Sequence, residues 1–247
     1  MLILLPPSET KREGGIEGSR LVLSELAFPE LTTLRRRALA SLSELSSELS
    51  AAMVALKLGP TQASEAERNR RLRRAPVLPS IDRYDGVLYD ALDAPSLPEA
   101  SRAFAHAHLA IASALFGLTR ALDPIPAYRL SADSRLPGHP LKAHWRAGVA
   151  AALASEPGLI LDLRSEAYAG LGPLPARDDA VFVRVVTEQG GRRRALNHFN
   201  KAGKGALTRG LLLARVDLPD VASLLAWAAA EGIRLEPGAA GELDLVV

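Results

Sequence analysis

Two hydrophobic periods alternate along this chain, and that alternation constrains its fold more than any other feature. Short, densely apolar runs read as strands: "LILL" at 2–5, "GLILDLRSEAY" and the closing "GELDLVV". "AVFVRVVTEQGGRRRALNHFN" reads as a hairpin turning at Gly190-Gly191. Between them the apolar positions take helical spacing. Leu34, Leu39, Leu42, Leu45, Leu49, Met53 and Leu56 predict helices within 20–57. Leu97, Ala100, Phe104, Ala107, Ile111, Leu115 and Leu118 predict one helix over 97–118, closed by a break at Asp123-Pro124. "YDGVLYDAL" places a turn at Asp85-Gly86 before a short helix. "PLKAHWRAGVAAALAS", "KAGKGALTRGLLLAR" and residues 218–231 read as further helices, the last ending at Gly232. Strands and helices interleave with no repeat and no dividing linker. The expectation is an α/β (mixed α+β) fold, one compact domain over 1–247 with a mixed sheet flanked by helices.

Composition narrows the class of function. Apolar residues make up 48% and charged residues 23%, the balance of a globular protein. No window approaches about 18 uninterrupted apolar residues, so no membrane partner is expected. The opening apolar run lacks the basic flank of a signal peptide, and a cytoplasmic location is expected. There is no cysteine, which excludes disulfides, thiolate metal sites and a cysteine nucleophile. His106 and His108 point to different faces of a helix, so no metal site is expected; no cofactor and no protein partner is indicated. His108 falls in the apolar stripe and reads as a core histidine.

Net charge is only +2, so any anionic partner must be met by a local patch. Lysine is the informative cation. Only Lys11, Lys57, Lys142, Lys201 and Lys204 occur against an arginine-rich background, which suggests places where a compact ammonium is needed. "EAERNRRLRRAP" packs arginines 68, 70, 71, 73 and 74 together. It reads as a solvated helix end before Pro76 or as a phosphate-contacting patch. "NHFNKAGKGALTRG" lacks the spacing of a P-loop, yet Lys201, Lys204 and Thr208 share a helical face beside Arg209. That is an anion site or a basic first turn. Asp162 and Glu166, four apart at a strand end, form an acid–base pair or cap the next helix, with Arg164 as counter-charge. Glu9 and Lys11 follow the first strand toward the same sheet edge. The histidines offer no nucleophile–base–orienter spacing.

Taken in order, "LILLPPSETK", "YDGVLYDAL", "ALFGLTRALDPIPAYRL", "HW" at 144–145, "ILDLRSEAY" and "HFNKAGKGALTR" resemble the YaaA family of bacterial peroxide-stress proteins. The likeness runs through nearly the whole chain. It implies a YaaA-type fold, DNA binding through a positively charged cleft with a helix–hairpin–helix-like element, and a role in limiting iron-driven oxidative damage. The chain departs from the family pattern at Phe116, where a tyrosine is usual, and shows no glycine-hydrophobic-glycine hairpin. On this resemblance Lys11, Arg120, Arg129, Arg135, Lys201, Lys204 and Arg209 would contact phosphate, with Arg129 the foremost. Tyr84, Tyr128 and Phe199 would stack on unpaired or distorted bases of duplex or branched DNA. The rival is an enzyme acting on a phosphorylated or nucleotide-like small molecule in the same cleft, with Glu9, Asp162 or Glu166 as acid or base. In either case the scattered signature stretches should meet in one place.

Overall fold

Strand β1 (Leu2–Leu5) is buried along its whole length, as its unbroken apolar run requires of a strand with both faces covered. Burying each such side chain is worth about 1.5–3 kcal/mol. The computed structural model describes residues 1–138, 140–189, 192–195 and 200–247. After β1 come helices α1 (Thr32–Leu45), α2 (Leu49–Ala55) and α3 (Ala63–Arg70), strand β2 (Val77–Pro79), and the short helices α4 (Ser80–Arg83) and α5 (Val87–Leu92). Helix α6 (Glu99–His108) leads into strands β3 (Leu109–Ser113), β4 (Gly117–Arg120) and β5 (Pro124–Pro126). Then follow α7 (Leu141–Ser155), β6 (Ile160–Asp162), α8 (Glu166–Ala169), β7 (Ala180–Gln189) and β8 (Arg192–Ala195). The chain closes with α9 (Asn200–Ala214), α10 (Val221–Ala230), β9 (Leu235–Pro237) and β10 (Glu242–Val246).

The main sheet runs β4-β3-β1-β6-β7-β10-β9, with β8 paired to the far half of β7. β3, β1, β6, β7 and β10 are mutually parallel; β4 and β9 close the two edges antiparallel. β2 and β5 form a separate two-stranded antiparallel sheet. The fold is therefore mixed α/β, as the interleaved periods required. The pairing of β7 with β8 fits the hairpin reading, whose turn at Gly190-Gly191 lies outside the described residues.

The helix expected over 97–118 is corrected. It ends at His108, and the next residues are strands β3 and β4. From Leu109 to Leu118 almost every position is buried, so no polar face remains for a helix to present. A fully buried strand and a buried helix share that pattern, and pairing beside β1 decides for the strand. The reversal between β3 and β4 needs Gly117, whose φ of 72° is left-handed and whose Cβ would meet the Trp145 ring at 2.8 Å. Nor does Asp123-Pro124 end a helix; it opens β5. The Asp123 carboxylate accepts from the backbone N–H of Ala27 and of Arg120, at 3.0 and 2.9 Å. His108 is only partly buried, its Nδ1 2.9 Å from the Met1 carbonyl.

Two buried arginines staple the loops to this framework, and among the described residues every acceptor they use is a backbone carbonyl. Arg35 on α1 donates to the carbonyls of Phe116, Ala27 and Leu118 at 2.9, 2.7 and 2.6 Å. Arg83 on α4 donates to those of Ile125, Gly14 and Pro76 at 3.1, 3.0 and 3.2 Å, and to that of Arg12. Burial pulls both guanidinium pKa values down to about 10, yet carbonyl acceptors hold them in place.

Candidate functional site

Open α/β sheets receive ligands beyond the carboxyl ends of their parallel strands. Here those ends are Leu5 of β1, Ser113 of β3 and Asp162 of β6. The loop leaving β1 is fixed in three places. The Tyr89 hydroxyl donates to the Pro6 carbonyl at 2.9 Å, Lys11 bridges to Tyr84, and the Arg12 N–H donates to the Arg83 carbonyl at 2.9 Å. The Lys11 side chain is thereby turned inward, with 6% of the residue exposed. Its Nζ donates to the Glu9 carbonyl at 3.1 Å and lies 4.3 Å from the centre of the Tyr128 ring.

Beneath that amine is a closed hydroxyl chain. The Tyr84 and Tyr128 hydroxyls are 2.9 Å apart, and that of Tyr128 is 2.8 Å from Ser113 Oγ. Ser113 Oγ also accepts the N–H groups of Leu115 and Phe116. Both rings are fully buried, which corrects their assignment to base stacking: a ring with no exposed face offers no platform. Burial raises both phenol pKa values above the ordinary range.

Above Lys11 sits Arg129. Its Nη2 donates to Glu9 Oε2 at 3.1 Å, with the Glu9 side chain 66% exposed. Its Nε is buried without a partner among the described residues. Buried Asn69 of α3 holds the Arg129 backbone by two bonds of 2.8 Å, from its amide to the carbonyl and from the Arg129 N–H to its Oδ1. Electrostatics follow from this crowding. Burial, and then the Arg129 charge, bring the Lys11 pKa down to about 7; Arg68 adds to the fall, while Glu65 and Glu9 oppose it.

A second cluster lies next door, at the end of β6, where the Leu163 N–H donates to the Leu4 carbonyl. Asp162 and Arg164 are both fully buried and pair through two bonds, Nε to Oδ1 at 2.8 Å and Nη2 to Oδ2 at 2.7 Å. Lys204 of α9 donates to the Arg164 carbonyl at 3.2 Å, and burial lowers its pKa to about 8. Glu166 is exposed and bonds Arg184 at 3.1 Å. Asp162 and Glu166 are thus no acid–base pair: each has its own arginine, and Asp162 is sealed from solvent. Lys204 is internal, while Lys201 stands exposed on the first turn of α9.

The remaining candidates lie elsewhere. Arg120 is at the opposite edge of the sheet, opposite Ala110 at the start of β3, bonded to Glu156 at 2.6 Å. Arg209 clamps the end of α5 through the carbonyls of Leu92 and Asp93 and the Ser96 hydroxyl. Arg135 is exposed beside Lys57 and Leu136, on a separate shallow surface. Phe199 lies outside the described residues. What the sequence reading missed is Asn69, a lone amide inside an arginine run with no periodic signal to mark it as buried.

That run forms a basic surface adjoining the site. Arg68 is engaged by Glu65, at 2.5 Å, and by Glu13. Arg70, Arg71, Arg73 and Arg74 are exposed and have no side-chain partner among the described residues. Arg68, Arg71 and Arg74, with Glu13, Ser64 and Glu67, line an open cavity of about 560 Å³. Among the described residues no cluster of three or more His, Asp or Glu could hold a metal ion, and no helix is long and apolar enough to cross a membrane.

Comparison with known proteins agrees with the motif reading. The profile of a family described as peroxide stress protein YaaA matches residues 1–237. A UPF0246 protein of Corynebacterium glutamicum is 43% identical over 255 aligned residues, covering the whole of both chains. A UPF0246 protein of Corynebacterium efficiens is 47% identical across 85% of this chain and 84% of its own. One of Streptomyces coelicolor is 42% identical across 86% of this chain and 83% of its own.

Proposed function

The chain belongs to the peroxide stress protein YaaA family, and from that premise we propose that it binds DNA through the arginine face that begins on α3. In the cell, this would place it in the cytoplasm and let it limit iron-driven oxidative damage to DNA. The observation that carries the proposal is the set Arg70, Arg71, Arg73 and Arg74, four exposed guanidiniums without side-chain partners among the described residues. A charge already paired has little left for a phosphate; these four remain available. Phosphate contacts release condensed counterions, so they generate affinity without reading bases. Because Asn69 ties α3 to Arg129, the same surface continues into the strand-end site.

Fluorescence anisotropy with a labelled duplex, titrated across salt, tests this. Affinity should fall with salt by about 0.9 log units per log unit of salt for each phosphate neutralised. Arg71→Ala and Arg74→Ala should each weaken binding evenly across sequences and flatten the slope by about one contact. Folded variants with unchanged affinity and slope would remove this face from the interface.

A second reading, an enzyme acting on a phosphorylated or nucleotide-like small molecule, is favoured by Lys11. An amine with a pKa of about 7 at the strand ends, beside Glu9 and Arg129, is equipped for proton transfer or attack. Thermal shifts with nucleotides and sugar phosphates, lost in Arg129→Ala, would favour it.

A further inference from the structure

We propose that Lys11 is a nucleophile that forms an imine with an aldehyde carried on a sugar phosphate, and that an abasic site in DNA supplies that aldehyde. The choice of DNA rests on the DNA-binding reading above; the chemistry of the amine rests on the Lys11 cluster itself. Among the described residues Nζ has one acceptor, the Glu9 carbonyl, and the Glu9 carboxylate paired with Arg129 beside it is mostly exposed. Glu9 is therefore the neighbour best placed to move aside and open a path to the amine. Its movement would also release Arg129, whose Nε lacks a partner among the described residues, to hold a phosphate next to the reacting carbon.

The groups facing Nζ come from three directions: Glu9 from its own loop, Glu65 and Arg68 from α3, and Arg129 with the Tyr84 and Tyr128 rings from the other side. The carboxylates and ring faces favour the ammonium. Burial and two guanidinium charges outweigh them, and the pKa falls to about 7. At neutral pH this gives roughly a thousandfold more free amine than an ordinary lysine with a pKa near 10.4. An ammonium serving only to hold phosphate gains nothing from such a shift. An amine that must attack carbon requires it.

The step balances without an oxidant or reductant. The Nζ lone pair attacks C1′ of the ring-opened deoxyribose; the carbonyl oxygen takes one proton from that nitrogen and one from solvent, and its bond to C1′ breaks to release water as the C=N bond forms. The iminium remains, reversible by water. Phosphate contacts on the α3 face would hold the strand while the opened sugar enters the site.

The test incubates the full chain with a duplex bearing one abasic site and with cyanoborohydride, which reduces an imine to a stable amine. A covalent complex is expected, with the adduct mapped to Lys11 by peptide mass spectrometry, a measurement that needs no variant. Its rate should climb with pH and level off above about 7, where the amine is free. Lys11→Arg keeps the charge and lacks the nucleophile, so the adduct should be lost; a duplex carrying a tetrahydrofuran analogue, which has no aldehyde, should bind the wild-type chain and form none. Binding without an adduct, or an adduct on another amine, overturns the proposal and leaves the DNA reading intact. An adduct with free ribose 5-phosphate but no duplex binding would keep the Lys11 chemistry, make the source a small sugar phosphate, and sink the DNA reading. Neither binding nor adduct would remove both.

Discussion

Lys11 couples the site to the stability of the fold. Its folded-state pKa, about 7, lies below its unfolded value of about 10.5. Between those limits the unfolded chain holds a proton that the folded chain has lost, so stability rises with pH across this window. Below about pH 7 the ammonium is buried in full and its cost is undiminished. Each pH unit inside the window is worth up to about 1.4 kcal/mol. The raised phenols of Tyr84 and Tyr128 act in the opposite sense, but only above their unfolded value of 10.0. Urea midpoints between about pH 7 and about pH 9 should therefore rise in the wild type and rise less in Lys11→Met. Equal slopes would mean that Lys11 stays charged. Its scarcity as a residue type made Lys11 conspicuous in the sequence, and so did its place after the first strand. Base stacking by Tyr84 and Tyr128 was expected from the resemblance, and residue type says nothing about whether a ring faces water or a neighbouring hydroxyl.

Among the elements, α9 shows how a glycine can read as a ligand loop and serve as packing. Gly205 faces α5, and a Cβ there would come 2.2 Å from the Leu88 carbonyl oxygen. Backbone cannot swing aside as a side chain can. Gly205→Ala should destabilise by about 1–3 kcal/mol or more, read as a lowered urea midpoint. An unchanged midpoint would show that α9 is free to slide along α5. Helices α7, α9 and α10 were legible in the sequence, and each buries only part of its circumference. The helical period failed over 97–118, where Leu109–Ser113 is enclosed on all sides and loses the contrast that a period needs. Helix α3 was legible as a basic helix end; its attachment to Arg129 through Asn69 was not, since only tertiary contact reveals it.

Across the whole molecule, the site is assembled from segments far apart in sequence: Glu9 and Lys11 after β1, Asn69 on α3, Ser113 at the end of β3, and Arg129 beyond β5. Of the stretches expected to meet, the three that carry Glu9 and Lys11, Tyr84, and Tyr128 with Arg129 lie together, while Arg120 and Arg135 are elsewhere. Sequence order could not separate the two groups, because a strand delivers residues to both edges of its sheet. The centre of that sheet should also be the last part to open. Hydrogen exchange should be slowest in β1 and its parallel neighbours β3 and β6, and faster in β9, which pairs on one side only. If β1 exchanged as fast as β9, the sheet would not be the cooperative core.

The arginine staples carry one more consequence, for how far such a chain can change while keeping its shape. A carbonyl oxygen is the same whichever side chain rides on its residue. The acceptors of Arg35 and Arg83 at Arg12, Ala27, Pro76 and Phe116 are therefore untouched, as far as these bonds go, by substitution at those positions. The donors have no such latitude, since a lysine could not reach several divergent carbonyls from one nitrogen. Mutational drift should thus be lopsided, with the stapled loops free to vary in residue type while two inconspicuous arginines stay still.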